Sequence, residues 1–187
     1  MTSLARFSIG ELAAYVADHL HQKGIDVVLV GGACICIYSE NAYSSFDLDF
    51  IATGMVGRLS IRQALAEIGF TEEQRYFKHP ETEYFVEFPS GPLAIGDEPP
   101  GEIASRTYPT GVLRLLSPTD SVKDRLAAYF HWKDRQSLEQ AVLVAEGHPV
   151  DMAEVRRWSV KEGFAAEFEA IWERLAQSGR SRRLGKK

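Results

Sequence analysis

DLDFI, residues 47–51, alternates polar and apolar side chains with the period of a β-strand, so Asp47 and Asp49 share one face while Leu48 and Phe50 share the other. Two residues apart on a strand, the two carboxylates stand about 6–7 Å apart at Cα. Their mutual repulsion raises one pKa unless a cation neutralises them, and the partner suited to oxygen ligands at this density is Mg²⁺, with Mn²⁺ as the alternative. An Asp-x-Asp pair also arises at water-exposed strand edges, so its meaning depends on its surroundings.

Upstream, the β-branched run VVLV at 27–30 closes on Gly31-Gly32, which predicts a strand buried on both faces followed by a tight turn. Glycine there lets the backbone approach phosphate oxygens, and a helix predicted over 33–38 adds unpaired N–H groups at its start. Downstream, EYFVEF at 83–88 reads as a strand stopped by Pro89, with Glu87 between the apolar Val86 and Phe88. Three acids on one sheet face make a two-metal site feasible. Ions roughly 3.5–4 Å apart stabilise a leaving pyrophosphate and activate an attacking hydroxyl.

Working outward, Ser8 and Glu11 form a capping box at the head of an amphipathic helix (Leu12, Ala13, Val16, Leu20) that Gly24 stops. Helical spacing returns over 58–68 and ends at Gly69. The stretch from 89 to about 110 reads as Pro- and Gly-rich loop, and 112–116 as one more strand. Ser117-Pro118 supplies an N-cap and a first-turn proline, with Asp120 in the favourable first turn. Beyond it, 126–132, 138–145, 153–160 and 164–175 carry helical periodicity, broken at Gly147-His148-Pro149 and Gly163. The fold class expected is α+β: a small mixed β-sheet core with flanking helices over 1–116, then a helical C-terminal subdomain over 117–178. A basic stretch, 179–187, is expected to be a disordered tail.

With 45% hydrophobic and 25% charged residues, the 187-residue chain is composed like a soluble globular protein and is long enough to bury a core. No apolar run approaches the roughly 20 residues of a bilayer span, and the first residues lack a signal-peptide core, so no membrane association and a cytoplasmic location are expected. A net charge of −5 argues against a surface that grips nucleic acid throughout, although RSRRLGKK at 180–187 is a local cationic cluster. Cys34 and Cys36 read as buried thiols, with no clustered His or Cys to complete a zinc set. Lys123 and Arg125, two residues apart, do not share a helix face, so at most one of them points at a phosphate. His79 and His131 are isolated. Trp132, Trp158 and Trp172 read as core or interface residues rather than base-stacking platforms.

The order of VLVGG (28–32), SFDLDF (45–50) and VEF (86–88) over the first 90 residues resembles the nucleotidyltransferase superfamily with the polymerase-beta-type catalytic fold, most of all the small bacterial proteins of the AbiEii toxin type. The resemblance implies that Asp47, Asp49 and Glu87 bind two Mg²⁺ ions. It further implies that Gly31, Gly32 and Ser45 hold the triphosphate of a nucleoside triphosphate such as ATP, and that a nucleoside monophosphate passes to an acceptor hydroxyl. RLAA at 125–128 and Lys133-Asp134 match the second-half motifs, so Arg125 and Lys133 are implied nucleotide ligands, and a cognate antitoxin is an implied partner. The chain departs from the pattern at Tyr43, where relatives often carry arginine, and at Arg125, where lysine is commoner. The acceptor stays open among a tRNA end, a protein hydroxyl and a small aminoglycoside-like molecule. An antibiotic-modifying or housekeeping relative, or an inert nucleotide- or protein-binding module on the same fold, are the alternatives.

Overall fold

The computed structural model describes residues 3–184, with side chains through residue 176. Helix α1 (Ile9–Gln22) opens on the expected capping box: the Glu11 amide donates to Ser8 Oγ, and the Ser8 amide donates to Glu11 Oε2 at 2.9 Å. Its apolar stripe, including Leu12, Val16 and Leu20, is fully buried against the sheet.

Seven strands form one mixed sheet among the described residues: β1 (Val27–Val30), β2 (Asp47–Ala52), β3 (Thr71–Glu73), β4 (Tyr76–Lys78), β5 (Phe85–Glu87), β6 (Ile103–Tyr108) and β7 (Gly111–Leu116). Their spatial order is β3-β4-β5-β2-β1-β7-β6. Strand β2 runs antiparallel to β1, with Asp49 opposite Val30, and parallel to β5, with Asp49 beside Glu87. The alternation read from DLDFI holds: Leu48 and Phe50 are fully buried, while Asp47 and Asp49 are half-buried on the opposite face. Helix α2 (Gly32–Tyr38) follows the double glycine, and α3 (Arg58–Glu67) precedes the β3–β4 hairpin.

One expectation fails. The stretch to about residue 110 is not all loop, because β6 pairs over its whole length with β7 and forms the sheet edge. Pro92, Pro99 and Pro100 mark a real loop that ends at Gly101-Glu102. From Ile103 to Tyr108 the chain is free of proline and gains its order from the β7 ladder rather than from a local apolar pattern.

Helix α4 (Pro118–Trp132) begins as read, with the Asp120 amide donating to Ser117 Oγ, and α5 (Arg135–Gly147), α6 (Met152–Lys161) and α7 (Ala165–Leu184) complete the helical half. Asp134 and Asp151 cap α5 and α6 through their carboxylates. The stretch expected as a tail first continues α7 to Leu184, and residues 185–187 lie outside the described ones. Trp158 sits in the helical core and its indole N–H donates to the Ile95 carbonyl, whereas Trp132 is exposed at the end of α4. Both cysteines are buried, and burial pushes the Cys34 thiol well above its ordinary range. No helix among the described residues is long and apolar enough to cross a membrane.

Candidate active site

The parallel register between β2 and β5 sets the centre of the site, because it aligns Asp49 with Glu87 on adjacent strands and leaves Asp47 one pleat away on the same face. Burial is the main reason that the Asp49 carboxyl rises from 3.8 to about 6, followed by the nearby charges of Glu87 and Asp47. Burial and neighbouring negative charge thus both disfavour the ionised form of Asp49, with Arg125 acting the other way.

Gly31 caps β1 with a left-handed φ of +70°, and a Cβ built on it would come within 2.7 Å of Asp49 Oδ2. The neighbouring Gly32 is also closely approached, since its Cβ would lie 3.2 Å from Ser45 Oγ and 3.6 Å from a Tyr43 ring carbon. The turn thus brings bare backbone against both the acid and the hydroxyl. Ser45 Oγ also accepts from the Asp47 amide at 3.3 Å, which fixes the entry into β2. Gly31→Ala is expected to cost ~1–3 kcal/mol of stability through backbone strain and the clash with Asp49; an unchanged urea midpoint would show that the turn adopts another φ and that Asp49 yields freely.

These residues open into a cleft of about 240 Å³ lined by Gly31, Asp49, Glu87, Asp124 and Arg125, with Pro92 and Leu93 of the following loop on its rim. The volume lies under the roughly 300–1,000 Å³ of ordinary ligand pockets. Arg125 reaches it from α4. Its side chain is 18% exposed, donates through Nε and Nη2 to Asp124 Oδ2 at 2.9 and 2.5 Å, and through Nη1 to Gln140 Oε1 at 3.3 Å. Burial works against its charge, but Asp124 more than offsets this and the guanidinium stays charged above its usual range.

Lys133 is not brought to the cleft. It caps α4 roughly 12 Å farther along the helix axis and lies 3.8 Å from Glu167 on α7, because the helix continues unbroken past Arg125. Lys123 turns away as well, into a buried pair with Asp120. Two residues escaped sequence reasoning. Asp124 reads as one helix charge among several, and its place in the cleft is set only by how α4 docks. Arg75, whose Nε lies 3.3 Å from Glu87 Oε1, sits in the β3–β4 turn, and its approach depends on the pairing of β4 with β5.

Among the described residues, no three His, Cys, Asp or Glu side chains are gathered closely enough to enclose a metal ion as they stand. The donors nevertheless fit a hard divalent cation in kind: all are carboxylate oxygens, and Asp49 carries a charge that burial and its neighbours disfavour.

No protein-family model matches the chain, and no curated protein matches it in sequence. Solved structures do match. An antigenic nucleotidyltransferase-like protein from Paracoccidioides brasiliensis superposes with a TM-score of 0.59 at 15% identity, over 90% of this chain and 92% of that one. The fold is that of nucleotidyltransferases. A second structure with this nucleotidyltransferase fold, ANT(2")-Ia in complex with adenylyl-2"-tobramycin, aligns with a TM-score of 0.50 at 14% identity, over 88% of this chain and 98% of that one. At such identities the likeness concerns the path of the chain, and coverage of nearly the whole length extends it to the helical half of the nucleotidyltransferase fold.

Proposed function

We propose that the protein is a divalent-metal-dependent nucleotidyltransferase. The observation that carries this reading is the β2–β5 register, which sets Asp49 beside Glu87 with Asp47 on the same face, at the mouth of a cleft walled by the Gly31 turn and by Arg125. Asp47, Asp49 and Glu87 are the ligands for Mg²⁺ or Mn²⁺, which when bound neutralises the triphosphate and polarises the phosphorus under attack. The Gly31-Gly32 backbone and Ser45 cradle the phosphates, and Arg125, oriented by Asp124 and Gln140, supplies a fixed positive charge. The acceptor is a hydroxyl compound. The adenylyl-tobramycin carried by one structural neighbour makes a small aminoglycoside-like acceptor one choice, and the motif resemblance to AbiEii-type toxins makes an RNA or protein acceptor, with a cognate antitoxin, the other.

One observation favours a second reading, an inert nucleotide- or protein-binding module. Glu87 is already engaged by Arg75, and the three acids do not enclose an ion as they stand. The test is a thermal shift with Mg²⁺ plus each of the four ribonucleoside triphosphates, alongside Asp47→Ala, followed by transfer of α-phosphate label to a mixed acceptor pool. Stabilisation that needs both metal and nucleotide and vanishes in the variant supports the site, and label transfer supports the enzyme. Binding without transfer to any acceptor supports a nucleotide-binding module, and no shift with any nucleotide removes the enzyme and leaves a protein-binding module on the same fold.

A further inference from the structure

We infer that Arg75 is a movable phosphate ligand, which covers Glu87 while the site is empty of metal and turns to the triphosphate once a divalent cation takes that carboxylate. The inference deepens the proposed function and rests on it. Two arginines approach the acids among the described residues, and they are held in opposite ways. Arg125 is locked, with 18% of its side chain exposed and three of its nitrogens bonded to Asp124 and Gln140. Arg75 is 68% exposed, and its holds are a 3.3 Å ion pair with Glu87, a hydrogen bond to the Tyr76 hydroxyl and the face of the Tyr76 ring.

Position favours Arg75 for this role. It occupies the second place of the two-residue turn between β3 and β4, just after Gln74, whose φ of +59° is left-handed for a residue that is not glycine. Tyr76 pairs with Glu87, and Glu87 with Asp49, so the turn directly precedes the strand position that flanks the row of acids. A guanidinium and a divalent cation cannot both sit on the same carboxylate oxygens without strong repulsion. Metal entry therefore displaces Arg75, and its planar fork of donors then lies within a side chain's reach of the anion that arrives with the metal. On the Gly32 and Ser45 side of the cradle the ring of Tyr43 packs, and it brings no cation.

The prediction has two opposite signs, which a merely structural residue does not produce. Removing Arg75 unmasks Glu87 and tightens metal binding, while it weakens triphosphate binding. In Arg75→Ala, the affinity for Mn²⁺ alone, followed by electron paramagnetic resonance, is expected to rise about two- to fivefold, the scale of a surface ion pair. The affinity for inorganic tripolyphosphate in saturating Mg²⁺, followed by calorimetry, is expected to fall about tenfold, with Arg75→Lys in between. Either constant unchanged, or both moving in the same direction, overturns the inference while leaving the proposed function standing if the unaltered protein binds both probes. An unaltered protein that binds neither probe overturns the two together.

Discussion

Lys123→Ala is expected to destabilise the protein by about 3–5 kcal/mol. The ammonium lies 2.8 Å from Asp120 Oδ1 and 3.2 Å from Glu154 Oε1, with side-chain exposure of 3% for Lys123 and for Asp120. Removing the lysine leaves the Asp120 carboxylate buried without a counter-ion. That carboxylate also accepts from the Gly101 amide at 2.9 Å and from Ser117 Oγ at 3.2 Å, so it is held in place and cannot turn out to water. Asp120 thus ties three things at once: the start of α4, the loop before β6 and, through Lys123, helix α6. The double replacement Lys123→Met with Asp120→Asn is expected to recover most of the loss, because it removes the charge as well as its partner. Urea denaturation of the three proteins checks this; a loss under about 1 kcal/mol for Lys123→Ala would mean that water reaches the pair.

Asp49→Asn is expected to lower the proposed nucleotidyl transfer by at least ~10³-fold, since charge stabilisation by a bound metal would contribute several kcal/mol to such a step. The same substitution is expected to make the metal-free protein more stable near neutral pH. Unfolded, the carboxyl ionises near 3.8; folded, it holds its proton to about 6. Between those values the folded chain binds more protons than the unfolded one, so the contribution of this group to stability declines as pH rises from about 4 to about 6 and stays low above that. Moving from 3.8 to about 6 costs the ionised folded protein ~3 kcal/mol, an upper figure that asparagine removes. Melting temperatures measured in chelator at about pH 4 and about pH 8 should therefore show little gain at the acid end and a clear gain at the alkaline end. A gain of equal size at both values, or none at the higher one, would show that the Asp49 charge is compensated in the metal-free protein. Both expectations have one cause: burial first, and then the charges of Glu87 and Asp47, disfavour an uncompensated carboxylate at Asp49.

Much of this arrangement is visible in local pattern. The period-two alternation of DLDFI places the acids opposite Leu48 and Phe50, the capping box starts α1, and Ser117-Pro118 starts α4, since each depends only on neighbours in sequence. The spacing of Lys123 and Arg125 likewise indicates that they part ways, and they do, one toward α6 and the other into the cleft. What depends on pairing between distant segments is hidden. β6 has no apolar alternation of its own and is ordered by β7, Arg75 reaches Glu87 through the β4–β5 register, and Asp124 gains its place from the docking angle of α4. Lys133, matched by motif alone, lies beside Glu167 because a continuous helix carries it about 12 Å past Arg125.

Helix α4 bears on one side the lysine that anchors it to α6 and, one and two residues on, the acid and arginine that wall the cleft. It acts as a beam common to both halves of the molecule. The strands cannot be excised as a working unit, because a chain cut at Leu116 loses a side of its own cavity, and the helices cannot drift without tilting Arg125. The cleft residues lie at mid-span of this beam, so a ligand seated among the strands should slow amide exchange in helices that it never touches.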